Sequence, residues 1–165
     1  MIYSRKHAGC PYCSGKRVGR DNSLAYVLPS VASEWHPTKN GTLIPYDVTR
    51  SAKIKVWWKC SKGDDHEWEA TINHRGKVSK PTSCPYCSGR YASKENCLAT
   101  VYPTIAKHWD EEKNGELTIF NVTPSSGVKV WWKCKFGESY QRRIADKVRR
   151  DGNCRKCRNR KVSIM

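Results

Sequence analysis

Phenylalanine and methionine are nearly missing from this chain, with two of each in 165 residues. The mean hydropathy is −0.77 and only 38% of residues are hydrophobic, a composition that does not favour one large core. No stretch approaches the roughly 20 consecutive apolar residues that a membrane-spanning helix needs. The opening MIYSRKHAGC carries charge but no apolar h-region, so it does not read as a secretory signal. A cytoplasmic or nucleoid-associated setting is therefore expected, with an organelle or a virus-infected cell as the alternatives. Acidic residues are scarce too: 15 Asp and Glu stand against 31 Lys and Arg, giving +16 and a pI near 9.6. Such an imbalance points to a polyanionic partner, and nucleic acid is the commonest. The plainer readings are a basic protein that merely stays soluble, or one that meets an acidic protein surface.

What the chain does have is seven Trp, eight Tyr and nine Cys, arranged in a repeat. CPYCSG at Cys10 to Gly15 recurs at Cys84 to Gly89, a shift of 74 residues. The same shift carries Trp35 onto Trp109, Lys39-Asn40-Gly41 onto Lys113-Asn114-Gly115, and Val48-Thr49 onto Val122-Thr123. It also carries VWWKC at Val56 to Cys60 onto Val130 to Cys134. About half the positions between Cys10 and Gly63 are identical in the two copies without a gap. The chain is a duplication with a partial unit in front: residues 1–20 hold a lower Cys pair only, 21–92 a complete module, and 93–165 a second module with a basic tail.

Within one unit, Leu24, Val27, Val31 and Trp35 have helical spacing broken by Pro29. Proline is tolerated in a first turn, so two short helical pieces are expected, the second opening at Pro29. Asn40-Gly41 signals a turn. Ile54 to Lys59 reads as a strand running into Cys60, and Glu67 to Ile72 as its hairpin partner. A basic loop, His74 to Lys80, precedes Cys84-Pro85-Tyr86-Cys87, which is expected to open a helical stretch. Knuckle, hairpin and a helix-opening Cys pair make a treble-clef or zinc-ribbon module. The expected fold class is small, metal-stabilised α+β, in tandem.

Nine cysteines without an export signal argue for thiolate–metal sites over disulfides. Zinc takes four tetrahedral ligands, and a Cys-x-x-Cys turn supplies two sulfurs to one ion. Cys60 and His66 form one knuckle of the complete unit, and Cys84 and Cys87 close it. In the second unit Cys134, Cys154 and Cys157 repeat the sulfurs, but aligning Ile144 with Ile72 puts Glu138 where His66 stands. Its fourth ligand is then a carboxylate, a water, a residue from elsewhere, or nothing. Cys97 aligns with Ser23 and reads as a small buried residue or a free thiol. Cys10 and Cys13 have no knuckle upstream; they are metal-free, or are completed by a partner chain, with His7 a possible third ligand. Four protein ligands leave no open position, so the Zn2+ is structural.

The strings CPYCSG, Trp35 to Gly41, Asp47-Val48-Thr49, Lys55 to Cys60 and His66 to Ala70 resemble the zinc-ribbon or treble-clef repeat family of bacteria, phages, large DNA viruses and some plants. The resemblance spans nearly the whole chain. It implies tandem zinc modules, often beside nuclease domains, with nucleic acid as partner. The chain departs from the family at Glu138 and in its truncated first unit.

Cations and aromatic rings are the two ingredients of single-strand or loop recognition. Trp57-Trp58 and Trp131-Trp132 lie on strands, so their rings point to opposite faces: one of each pair is core and one outward, where it could stack on a base, or both are buried under neighbouring helices. Phosphate contacts are expected from the loop, at Arg75, Lys77 and Lys80. They are also expected from the tail, at Lys147, Arg149, Arg150, Arg155, Lys156, Arg158, Arg160 and Lys161. An enzyme reading rests on Asp64-Asp65-His66-Glu67, which resembles a metal-dependent nuclease cluster. The second copy keeps one acid there, and no paired carboxylates or phosphate-cradling loop recurs. The expectation is a non-enzymatic, zinc-binding, nucleic-acid-binding protein. The alternatives are a module docking on a transcription or ribonucleoprotein machine, and a nuclease or nuclease accessory domain.

Overall fold

The computed structural model describes residues 10–12, 14–77, 82–150 and 154. The chain divides into two compact units, Met1–Cys84 and Pro85–Met165. Each unit is built on one antiparallel hairpin.

In the first unit β1 (Lys55–Lys59) pairs with β2 (Glu67–Thr71), with Trp58 opposite Trp68 and Lys59 opposite Glu67. The ladder extends one step beyond the strands, where the Cys60 N–H donates to the His66 carbonyl at 3.0 Å. Strand alternation sends Val56 and Trp58 inward, leaving Trp57 half-buried on the other face. Trp58 is fully buried, and its indole N–H donates to the Ala70 carbonyl at 3.0 Å. The Trp35 ring meets it edge-on, with centroids 5.4 Å apart. Two single-turn helices, α1 (Leu24–Val27) and α2 (Pro29–Ala32), supply Leu24 and Val31 to this core, and Pro29 opens the second as the sequence requires.

The outer edge of β1 is closed by a device that the sequence did not reveal. The Asn40 amide grips Trp57 at both backbone atoms: Oδ1 accepts the Trp57 N–H at 2.8 Å and Nδ2 donates to its carbonyl at 2.9 Å. Asn114 does the same to Trp131 at the same distances. One side chain thus satisfies strand-edge groups that would otherwise invite pairing. This explains why Lys-Asn-Gly recurs in both copies.

The hairpin ends earlier than the sequence suggested. Ile72 opens a helical turn, α3 (Ile72–Arg75), so the stretch read as a basic loop begins as helix. In turn, Cys84 to Cys87 opens a run of turns and no helix. Gly89, at φ +72°, bends the chain out of helical geometry, and α4 (Leu98–Val101) starts only after it. An Asn staple holds this segment: Asn96 Nδ2 donates to the Tyr86 and Tyr91 carbonyls at 2.8 and 3.1 Å. Asn22 staples the Cys10 segment identically, donating to the Tyr12 and Arg17 carbonyls at 2.5 and 2.9 Å.

The second unit repeats the plan. It contains α4, α5 (Pro103–Ala106), α6 (Glu111–Asn114), β3 (Lys129–Lys133), β4 (Ser139–Arg143) and α7 (Ile144–Arg149). Trp132 is fully buried, Trp109 meets it edge-on at 5.4 Å, and Leu98, Ile105, Val122, Val130 and Ile144 complete the core. Cys97 occupies the position of the capping Ser23 and is a buried free thiol, its Sγ 3.2 Å from Thr100 Oγ1.

Candidate metal centre and basic surface

Cys60 leaves β1 and His66 enters β2, so the hairpin fixes their separation. The ligand atoms of Cys60, His66, Cys84 and Cys87 all lie within 4.8 Å of one another. His66 Nδ1 is 3.8 Å from Cys84 Sγ. Zinc–sulfur and zinc–nitrogen bonds of about 2.3 and 2.0 Å require ligand-to-ligand edges of roughly 3.5 to 3.8 Å in a tetrahedron. The four groups therefore fit a Cys₃His zinc site. Cys60, His66 and Cys84 are buried and Cys87 is exposed, which suits a structural ion at the margin of a small core.

Asp65 Oδ1 lies 3.9 Å from His66 Nε2, a charge facing the ring beyond hydrogen-bonding distance. Gly63 leaves room for the ring: a Cβ there would come within 2.8 Å of Cδ2 and Nε2. Gly63→Ala is therefore expected to tilt the imidazole and lower zinc affinity about tenfold, the scale seen when ligand-orienting groups are changed. Competition with a chromogenic chelator measures this.

Beyond the site, His36 and Glu67 hold the Lys-Asn-Gly turn against β2. His36 Nδ1 accepts the Thr38 and Lys39 N–H groups at 3.2 and 3.1 Å, which places the ring proton on Nε2, 3.2 Å from Glu67 Oε1. Lys39, Lys59 and His36 together hold the Glu67 carboxyl down at about 2. In the second unit both residues differ. Asp110 Oδ1 accepts the Lys113 N–H at 3.4 Å and Oδ2 accepts the Ser139 hydroxyl at 2.6 Å, with Lys133 Nζ 3.6 Å away. The carboxylate has crossed from β2 to the turn, yet still faces the lysine that precedes the knuckle cysteine.

Asp110 is fully buried, and its carboxyl is held below the usual range by the Ser139 hydroxyl, helped by the Lys113 N–H and Lys133 against the opposing effect of burial. A depressed carboxyl stabilises the fold above its unfolded value of about 4 and loses that contribution as pH falls through the lower folded value. Asp110→Asn should therefore lower the thermal midpoint at pH 7, and the gap from the parent should narrow as pH drops below about 4. Paired melts across that range test it.

The second metal position is less complete among the described residues. The Cys134 N–H donates to the Glu138 carbonyl at 2.9 Å, reproducing the Cys60–His66 step and placing Glu138 at the histidine position. Its knuckle is two residues shorter than that of Cys60 and His66. Cys154 is buried and Cys134 half-buried, but the two do not form a ligand cluster with Glu138 among the described residues. Cys157 and Cys13 lie outside the described residues; Cys10 is half-buried at the head of its stapled turn.

The expected phosphate contacts divide sharply. Arg75 and Lys147 are each only 3% exposed, which corrects their reading as phosphate ligands. Arg75 ion-pairs with Glu34 and donates to the Thr82 carbonyl, and its guanidinium sits 5.0 Å from the Trp58 and 5.2 Å from the Trp68 ring centroid. Lys147 occupies the same position in the second unit, 6.0 Å over Trp132. Both cations are therefore spent on the core through ring contacts. Lys77, Arg149 and Arg150 are exposed, whereas Lys80, Arg155, Lys156, Arg158, Arg160 and Lys161 lie outside the described residues.

A family described as a probable treble clef zinc finger domain matches residues 31–90 and again 105–160. The chain belongs to this family, as two tandem copies of a zinc-binding module. No curated protein matches the sequence. Among the described residues no helix is long and apolar enough to cross a membrane.

Proposed function

We propose that the protein is a non-enzymatic nucleic-acid-binding protein whose zinc is structural and whose exposed cations contact phosphate. The observation that carries this reading is the sorting of its charges. Arg75 and Lys147 are buried, and Lys39, Lys55, Lys59 and Lys133 are paired with carboxylates. By contrast Lys16, Arg17, Arg20, Lys77, Arg90, Arg149 and Arg150 are exposed and face no carboxylate within ion-pairing distance among the described residues. In a chain of +16 these cations are available to a partner as far as ion pairs among the described residues go. They suit a polyanion whose condensed counterions they displace.

A catalytic use of the Asp64 to Glu67 run fits poorly. His66 lies in the Cys₃His cluster and Glu67 is held by Lys39, Lys59 and His36. The zinc-loaded protein is expected to bind DNA or RNA with an affinity that falls steeply with salt, and to release no cleavage products. Arg149→Ala and Arg150→Ala should each lower the slope of log K against log salt by about one. Fluorescence anisotropy over a salt series checks this. Salt-independent binding would assign the surface to protein docking instead.

A further inference from the structure

The second unit carries a groove of about 420 Å³ that neither the metal centre nor the core explains. Tyr86, Arg90, Tyr91, Phe120 and Val128 line it. Phe120, at 68%, is the most exposed large hydrophobic side chain among the described residues, and Tyr91 is 49% exposed. Both are presented from pinned backbone. Asn121 fixes the turn at Phe120, its Oδ1 accepting the Thr118 N–H at 2.9 Å. The Asn96 staple holds the Tyr91 carbonyl, and Tyr86 meets the Tyr91 ring edge-on at 5.5 Å. A pinned backbone beneath an exposed ring lowers the ordering cost of binding, because less chain freedom remains to be lost.

The first unit keeps part of this set at the matching positions of the repeat, with Arg17 standing where the second unit has Tyr91. Tyr46 stands at the Phe120 position and is 63% exposed, Tyr12 stands at Tyr86, and the exposed Lys16 stands at Arg90. Ring and cation thus recur together although neither packs into the core. The partner chemistry that uses both is a planar, apolar base attached to a phosphate.

We propose that this groove is a base-stacking subsite for single-stranded nucleic acid, with Phe120 and Tyr91 offering faces to an unstacked base and Arg90 contacting its phosphate. The proposal rests on the nucleic-acid reading above and adds a preference for single strands, since a base within a duplex must first be unstacked, at a cost, before a ring can take its face.

The test uses the full, zinc-loaded chain with fluorescein-labelled single-stranded DNA and RNA of one mixed sequence, and the annealed DNA duplex. Phe120→Ala should weaken single-strand binding about 5- to 100-fold without changing the salt slope. Duplex affinity should stay as it was, and Phe120→Trp should retain single-strand affinity with quenching of the new indole. Unchanged single-strand affinity in Phe120→Ala overturns the stacking site but leaves the phosphate reading standing. So does an equal loss on single strand and duplex. Failure of the parent protein to bind any of the three overturns both readings.

Discussion

His66→Ala is expected to release zinc from the Cys60–Cys87 site and unfold the first unit. Structural zinc supplies on the order of 10–16 kcal/mol of apparent binding free energy in small finger peptides, and that energy is folding energy. The first unit has few other reserves. Among the described residues its core comprises seven buried large apolar side chains, Leu24, Val31, Val48, Val56, Trp58, Trp68 and Ile72, arranged over a hairpin of two five-residue strands. Elemental analysis should show the loss of one zinc per chain, and far-ultraviolet dichroism the loss of first-unit structure. His66→Cys, which keeps four ligands, should retain the metal. A catalytic role for His66 forecasts the opposite pattern, a folded protein without activity.

The second large effect is expected at Trp58. The ring is fully buried, donates through its indole N–H to Ala70, and lies between the Trp35 edge and the Arg75 guanidinium. Truncating a buried Trp to alanine costs about 3–5 kcal/mol. Part of that cost here is the loss of the ring over which the buried Arg75 charge sits. Trp58→Ala should therefore leave the first unit unfolded or molten even with zinc present, and Trp132→Ala should do the same to the second. Trp57→Ala, one residue away, should cost far less, because that ring is half-buried under the Lys39 ammonium at 4.5 Å. Hydrogen exchange resolved by segment separates the units in the same sample.

Much of this fold is legible in the sequence. Pro29 marks a helix start, the β-branched and aromatic run before Cys60 marks β1, and the Cys84–Cys87 pair falls in one cluster with Cys60 and His66. Alternation along the strands correctly split Trp57 from Trp58. Composition failed where a side chain's role depends on what lies across the fold. Arg75 and Lys147 looked like surface charges because sequence shows neither the Trp rings beneath them nor Glu34, 41 residues earlier. The Asn40 clamp was read only as a turn, since an amide bridging a strand edge leaves no periodicity. His36 and Glu67 give no signal separately in the sequence; their contact, and its replacement by Asp110 and Ser139 in the second copy, show them to be a pair.

That exchange constrains how the two copies diverged. Changing from the His–Glu arrangement to the Asp–Ser arrangement takes two substitutions, and each order passes through a different intermediate. If β2 changes first, histidine faces serine and the lysine before the knuckle cysteine loses its only carboxylate in this cluster. If the turn changes first, two carboxylates face one another but share two nearby lysines. The counterparts of Lys39 and Lys59, Lys113 and Lys133, persist in the second unit. The second intermediate sets two carboxylates beside two lysines, whereas the first leaves both lysines with no carboxylate in this cluster. Chains carrying His36→Asp or Glu67→Ser alone would recreate the two intermediates and rank them by stability.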